Sequence, residues 1–204
     1  MNFDNNNISE KPFIIRQLDD YAINRIAAGE VVERPSSVVK ELIENSLDAG
    51  ALKINIYVKD GGKTYLKVVD DGQGIPQNFL PLALSRHATS KIDGTDLLNI
   101  NTFGFRGEAL PSLAAVSHLT ITSRFIESDL AYKISASGGI IEEVKPAALS
   151  NGTEVVISNL FYSTPARLKF LRTDRSEMMS ILDMVKRFSI AEPYVSFSIK
   201  NLSN

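Results

Sequence analysis

The sequence predicts a two-layer α/β sandwich, an α+β arrangement in which one mixed, mostly antiparallel sheet is covered on one face by helices. Short alternating runs, at 52–58, 64–70, 119–124, 131–137, 140–144 and 153–158, are punctuated by Asp60-Gly61-Gly62, Gly138-Gly139 and Asn151-Gly152. Residues 36–50 and 177–188 instead carry apolar side chains at helical spacing. No internal repeat is visible along the chain.

The bulk properties fit one domain. Of 204 residues, 44% are hydrophobic and 23% charged, which suffices for a core and for a soluble surface. Residues 1–15 are polar and read as a flexible N-terminal tail, leaving 16–204 as the folded unit. A net charge of −2 gives no global pull toward nucleic acid or an anionic membrane. The absence of cysteine excludes disulfides, thiolate metal sites and cysteine nucleophiles, and two histidines far apart do not make a metal centre. The start has no signal-peptide pattern, and nothing approaches the roughly 18 apolar residues of a membrane span.

In chain order, Asp19 or Asp20 caps a short helix with Ile23, Ile26 and Ala27 inward, ended by Gly29. The helix at 36–50 follows, with Val38, Val39, Leu42, Ile43 and Leu47 as its buried stripe and Gly50 as its stop. Leu52, Ile54, Ile56 and Val58 alternate as a half-buried strand, and the short turn after it makes the next strand, 64–70, antiparallel. A short helix over 79–84 precedes the polar segment 86–91. Met178, Ile181, Leu182, Val185 and Phe188 form the stripe of the late helix, with methionine as core filler, and 194–199 alternates as a last strand.

Three places can carry chemistry. Glu41, Asn45 and Asp48 share one helix face away from the apolar stripe; the Glu can take a proton from water, and the Asn oxygen can sit on Mg²⁺. By themselves they read first as the solvated face of an amphipathic helix. Leu66, Val68 and Asp70 share one strand face, so a covered face brings the Asp70 carboxylate inward and turns Asp71 out. A ligand N–H would partner Asp70, with Gly72 and Gly74 letting a flat ring approach; a plain Asp-Gly turn is the other reading. The glycine-flanked turn at 104–107, leading into the apolar stretch 110–116, offers free N–H groups to phosphate, and Thr89, Ser90 and Lys91 could add donors. A loop with a helix start is the alternative. Neither a Rossmann fingerprint nor a P-loop is present. A local excess of +3 between 166 and 187 includes Arg167, Lys169 and Arg172, which suit nucleic-acid phosphates or simple solvation.

The order E-x-x-x-N, D-x-G-x-G, G-F-R-G-E-A-L and N-G-T resembles the GHKL ATPase superfamily. The segments at 26–35, 38–50, 86–91, 104–110 and 160–167 resemble its MutL branch, so the sequence is similar to the ATPase region of DNA mismatch repair MutL proteins. The resemblance implies the Bergerat (GHKL) ATP-binding fold, with ATP and Mg²⁺ as ligands. It makes Glu41 the general base and Asn45 the Mg²⁺ ligand. Asp70 would accept from the adenine amino group, with Gly74 and Thr153 in the base pocket. Residues 76–107 would form a lid, with Thr89, Ser90, Lys91, Gly104, Phe105, Arg106 and Gly107 at the phosphates. Departures are Asp71 and Ser163, where the family commonly has Asn.

At the level of the whole protein, the resemblance implies an ATP-switched homodimer of cytoplasmic, bacterial type, nucleoid-associated during repair. Its N-terminal parts would associate on ATP binding. The implied partners are DNA (bound weakly and without sequence preference), the mismatch-recognition protein MutS and a downstream nuclease or helicase, with no membrane. It further implies that a transducer lysine lies beyond residue 204, so that slow hydrolysis is expected of these residues alone. A histidine-kinase-like phosphotransferase and an inert binding module are the competing classes.

Overall fold

The computed structural model describes residues 28, 29, 31–86, 88 and 107–203. Helix α1 (Pro35–Asp48) starts on a proline, whose missing N–H is harmless in a first turn. It stops at Gly50, which adopts φ +74°. Val38, Val39, Leu42 and Ile43 are buried as the stripe requires, each contributing about 1.5–3 kcal/mol of transfer free energy; Leu47 packs at the margin of the core. The expected caps at Asp19 or Asp20 lie outside the described residues. Ala28, Gly29 and Val31 are helical and Val32 N–H donates to the Ala28 carbonyl, so the turn runs past Gly29 rather than ending there.

Strands β1 (Lys53–Lys59) and β2 (Tyr65–Asp70) pair antiparallel across the Asp-Gly-Gly turn, as the short connection dictates. Ile54, Ile56 and Val58 are buried, but Leu52 precedes the strand and is exposed. A 3₁₀ turn (Gln77–Phe79) and helix α2 (Leu80–Ala83) split the helix expected at 79–84. The chain then forms α3 (Ala109–Val116), β3 (His118–Arg124) and β4 (Ala131–Ser137).

The single strand expected at 140–144 is two short pieces, β5 (Ile140–Ile141) and β6 (Lys145–Ala147). Both pair with β4, and the register slips by one residue between them, so the edge carries a bulge at 142–144. Pro146 is tolerated there because an edge strand need not use every N–H. Strand β7 (Gly152–Ser158) and helix α4 (Pro165–Leu168) precede α5 (Asp174–Ala191). Helix α5 begins three residues before the expected Glu177 because Thr173 Oγ1 accepts from Ser176 N–H, an N-cap. The last strand, β8 (Ser196–Asn201), sits two residues later than expected.

The sheet order is β5-β4-β3-β7-β2-β1-β8, with β6 also on β4. All pairs are antiparallel except β1 with β8, which run parallel. Such a pair needs a crossover, and α5 lies on it. One sheet face, bearing Ile54, Ile56, Leu66, Val68, Val155, Ile157, Leu119 and Ile121, forms a common core with α1, α3 and α5. On the opposite face Lys67 pairs with Glu154 at 3.2 Å and lies over the Tyr57 ring. This is the mixed two-layer sandwich that the sequence predicts.

Candidate functional site

The candidate site is built where α1, the end of β2 and the start of β7 converge. The alternation of β2 carries Asp70 to the covered face, and the residue is 8% exposed. Register brings Thr153 of β7 directly opposite Asp70. Its N–H donates to Asp70 Oδ1 at 3.2 Å, and Gly72 N–H donates to the same oxygen at 3.0 Å. Ser46 of α1 donates to Oδ2 at 2.9 Å. Burial pushes the Asp70 carboxyl above its ordinary range, while the bonds from Ser46, Gly72 and Thr153 oppose that rise and the Asp71 charge adds to it. Asp71 turns outward as expected, and its Oδ1 accepts from the N–H groups of Leu52 and Lys53, both at 2.8 Å.

Ser46 and Ser123 are the site residues that the sequence reasoning missed. Ser46 falls four residues after Leu42 on the apolar stripe, where a buried hydroxyl needs a partner; that was the available signal. It joins the turn of α1 that carries Asn45 directly to Asp70. Ser123 Oγ pairs with Thr153 Oγ1 at 2.9 Å and accepts from Ile75 N–H at 2.8 Å. Thr153 therefore acts through its backbone on Asp70 and through its hydroxyl on Ser123. Ser163, the other departure from the family pattern, donates to the Ala115 carbonyl at 3.0 Å.

Gly74 also meets a demand of the fold itself. It is buried at φ +74°, and a Cβ there would run into the Arg124 carbonyl. The protein's own β3 end thus requires a bare backbone here. Gln73 reinforces the arrangement, donating to Ala49 O at 3.0 Å and accepting from Ile126 N–H at 2.8 Å. The loop after Asp70 is held from both sides.

Glu41 lies one turn before Asn45 on α1, its side chain 31% exposed and one oxygen 3.6 Å from Lys40 Nζ. Asn45 and Asp48 are both engaged in interactions of their own. No cluster of three acidic, His or Cys ligands occurs among the described residues. The carboxamide oxygen of Asn45 would suit Mg²⁺, which commonly takes only one or two protein ligands alongside phosphate and water. Thr89, Ser90, Lys91, Gly104, Phe105 and Arg106 lie outside the described residues. Gly107 is described: at φ +62°, a Cβ there would run into the Ala88 carbonyl, so Gly107 and Ala88 lie against each other just before α3.

The three candidate nucleic-acid contacts separate. Lys169 and Arg172 are exposed. Arg167 is turned onto the chain before α1, donating to the carbonyls of Gly29 (2.7 Å), Val32 (3.1 Å) and Ala28 (3.4 Å). Its guanidinium also lies 5.0 Å from the Phe161 ring centre. Arg167→Ala is expected to destabilise the fold by about 2–3 kcal/mol in urea unfolding. Lys is expected to recover less than half, because an ammonium cannot span three carbonyls. A parent-like midpoint for Arg167→Ala would refute this clamp.

The comparisons agree with the geometry. Residues 33–155 match the family model described as histidine kinase-, DNA gyrase B- and HSP90-like ATPase. The chain is 53% identical to the DNA mismatch repair protein MutL of Nitrobacter winogradskyi over 185 residues, 91% of this chain and 31% of that protein. The MutL of Bradyrhizobium diazoefficiens is 52% identical with the same coverage. The solved MutL ATPase domain of Aquifex aeolicus complexed with ADP matches with a TM-score of 0.71 at 29% identity, covering 85% of this chain and 62% of that one. The chain thus spans about a third of the length of these MutL relatives. It belongs to the histidine kinase-, DNA gyrase B- and HSP90-like ATPases, and its similarity to MutL proteins extends over nine-tenths of its length.

Proposed function

We propose that the chain binds ATP with Mg²⁺ between α1, the end of β2 and the start of α3, and hydrolyses it as the switching part of a MutL-type mismatch repair protein. The observation that carries this reading is the Asp70 carboxylate, buried at the end of a strand and hydrogen-bonded from three separate segments. A buried acceptor so arranged suits an exocyclic amino group, and the ADP-bound Aquifex domain supports adenine nucleotide as the ligand.

Asp70 selects the base by accepting from its amino group, and Thr153 and Ser123 keep the carboxylate in position. Gly107 and the N-terminal turn of α3 suit the phosphates, since the first N–H groups of a helix have no partner within it. Glu41 takes a proton from the attacking water. Asn45 offers its carboxamide oxygen to the metal. Mg²⁺, when bound, supplies charge neutralisation on the triphosphate. In the whole protein we place this cycle in the cytoplasm beside the chromosome, working with MutS and a downstream nuclease or helicase. ATP-driven association of N-terminal parts would be its output. Weak DNA contact falls to Lys169 and Arg172, with Arg167 engaged elsewhere.

Glu41→Gln separates binding from chemistry. It is expected to keep affinity for a non-hydrolysable ATP analogue and to slow hydrolysis at least about 100-fold. Parent-like hydrolysis would remove Glu41 as the base.

A further inference from the structure

We propose that Lys40 is a positioning residue for hydrolysis: anchored on buried Glu44, its ammonium holds the Glu41 carboxylate in place. The proposal rests on the reading of Glu41 as general base. Glu44 is 8% exposed, and Lys40 Nζ reaches both of its oxygens at 2.7 Å. That pair has the four-residue spacing at which helix side chains meet. Neighbouring residues on a helix point about 100° apart, so Lys40 and Glu41 have no such built-in contact. Yet the same Nζ stands 3.6 Å from Glu41 Oε1. The lysine stem, drawn toward Glu44, ends between the two carboxylates and opposes one Glu41 oxygen, leaving Oε2 to receive a proton.

The electrostatics give this placement a purpose. Glu41 and Glu44 are like charges one turn apart, and an incoming triphosphate adds more negative charge to the same helix face. A general base must remain ionised there to accept a proton. Burial alone would lower the Lys40 pKa, but the hydrogen bond and charge of Glu44, with the Glu41 charge, outweigh it and raise the pKa. Lys40 is therefore a permanent cation at neutral pH, fixed beside the carboxylate whose charge it offsets. The other reading of the triad is a surface ion pair with no part in turnover.

The test compares Lys40→Met, Lys40→Arg and Glu41→Gln by single-turnover ATP hydrolysis with Mg²⁺ and by separate titration of a non-hydrolysable ATP analogue. Lys40→Met is expected to slow hydrolysis about tenfold while analogue affinity stays within about twofold. Lys40→Arg is expected to restore most of the rate. Adding Lys40→Met to Glu41→Gln is expected to produce no further loss, since the two act through one group. Parent-like turnover in Lys40→Met would overturn the proposal, as would a parallel loss of affinity and rate. If Glu41→Gln hydrolyses normally, the reading of Glu41 itself falls. If Glu41→Gln is inactive and Lys40→Met is not, only the role of Lys40 falls.

Discussion

Asp70→Asn is expected to give a protein that folds at least as well as the parent and binds ATP poorly. The amide can keep the site's internal bonds: its oxygen can accept from Gly72 and Thr153 N–H as Oδ1 does. Its NH₂ can then donate to Ser46 Oγ, whose own proton can turn from the carboxylate to the Leu42 carbonyl, 3.0 Å away. The buried charge is gone, and with it the desolvation penalty. On the proposed reading of Asp70, however, the adenine amino group now meets a donor where it had an acceptor. Loss of a hydrogen bond to a charged partner is worth about 1.5–3 kcal/mol, or roughly a 10- to 150-fold weaker affinity.

The pH dependence follows from the raised Asp70 pKa. A carboxyl that holds its proton more tightly folded than unfolded contributes stability below its ordinary value of 3.8. That contribution is lost as pH rises through the higher folded value, above which the ionised form carries the full penalty. The stability gap between Asp70→Asn and the parent should therefore widen as pH rises above about 4 and level off once pH has passed the raised folded value. Urea unfolding of both proteins across that range is the measurement. A gap that stays flat, or narrows, would mean that Asp70 is not held against its charge.

Gly152→Ala is expected to be the most damaging single methyl in the described structure, at about 3–5 kcal/mol. Gly152 adopts φ +75°, which alone disfavours a side chain. The added Cβ would run into the Asp70 carbonyl and come within 2.8 Å of Asp71 Cα. Both are backbone atoms of the adjoining strand end, so no rotamer change relieves them. The strand must move, carrying Asp70 out of line with Thr153, and nucleotide affinity should fall together with stability. Gly50 is the control: its φ is +74°, but nothing lies within 4 Å of a Cβ built there. Gly50→Ala should lose only the backbone term, about 1 kcal/mol. Equal unfolding midpoints for the two variants would refute the steric account.

Local periodicity made much of this legible. Val38, Val39, Leu42 and Ile43 repeat with the helical period, and Leu66, Val68 and Asp70 with the strand period, so their faces followed directly. The inward turn of Asp70 and the outward turn of Asp71 came from the same rule. Glycine meaning was less legible. A bare backbone at Gly74 suits an approaching ring or an approaching strand equally, and only tertiary structure distinguishes Arg124 as the neighbour. Arg167 read as a free cation because charge along a sequence does not reveal which carbonyls lie beside it. The slip between β5 and β6 escaped because a one-residue bulge leaves the apolar pattern of an edge strand nearly unchanged. The parallel direction of β8 was hidden for another reason: pairing partners so distant in sequence leave no local trace.

That last strand also sets a clock. Ser198 Oγ donates to Asn55 Oδ1 and Ser203 Oγ accepts from Asp60 N–H, in each case across 143 residues of chain. During synthesis at about 5–20 residues per second, β1 is made roughly 7–30 s before its parallel neighbour exists. Over that interval its outer edge presents unpaired N–H and C=O groups to solvent. The hairpin of β1 and β2 can form early, yet the sheet closes only when the 196–201 segment leaves the ribosome. Aggregation during expression should accordingly concentrate on nascent chains stalled before that point, with β1 as the sticking surface.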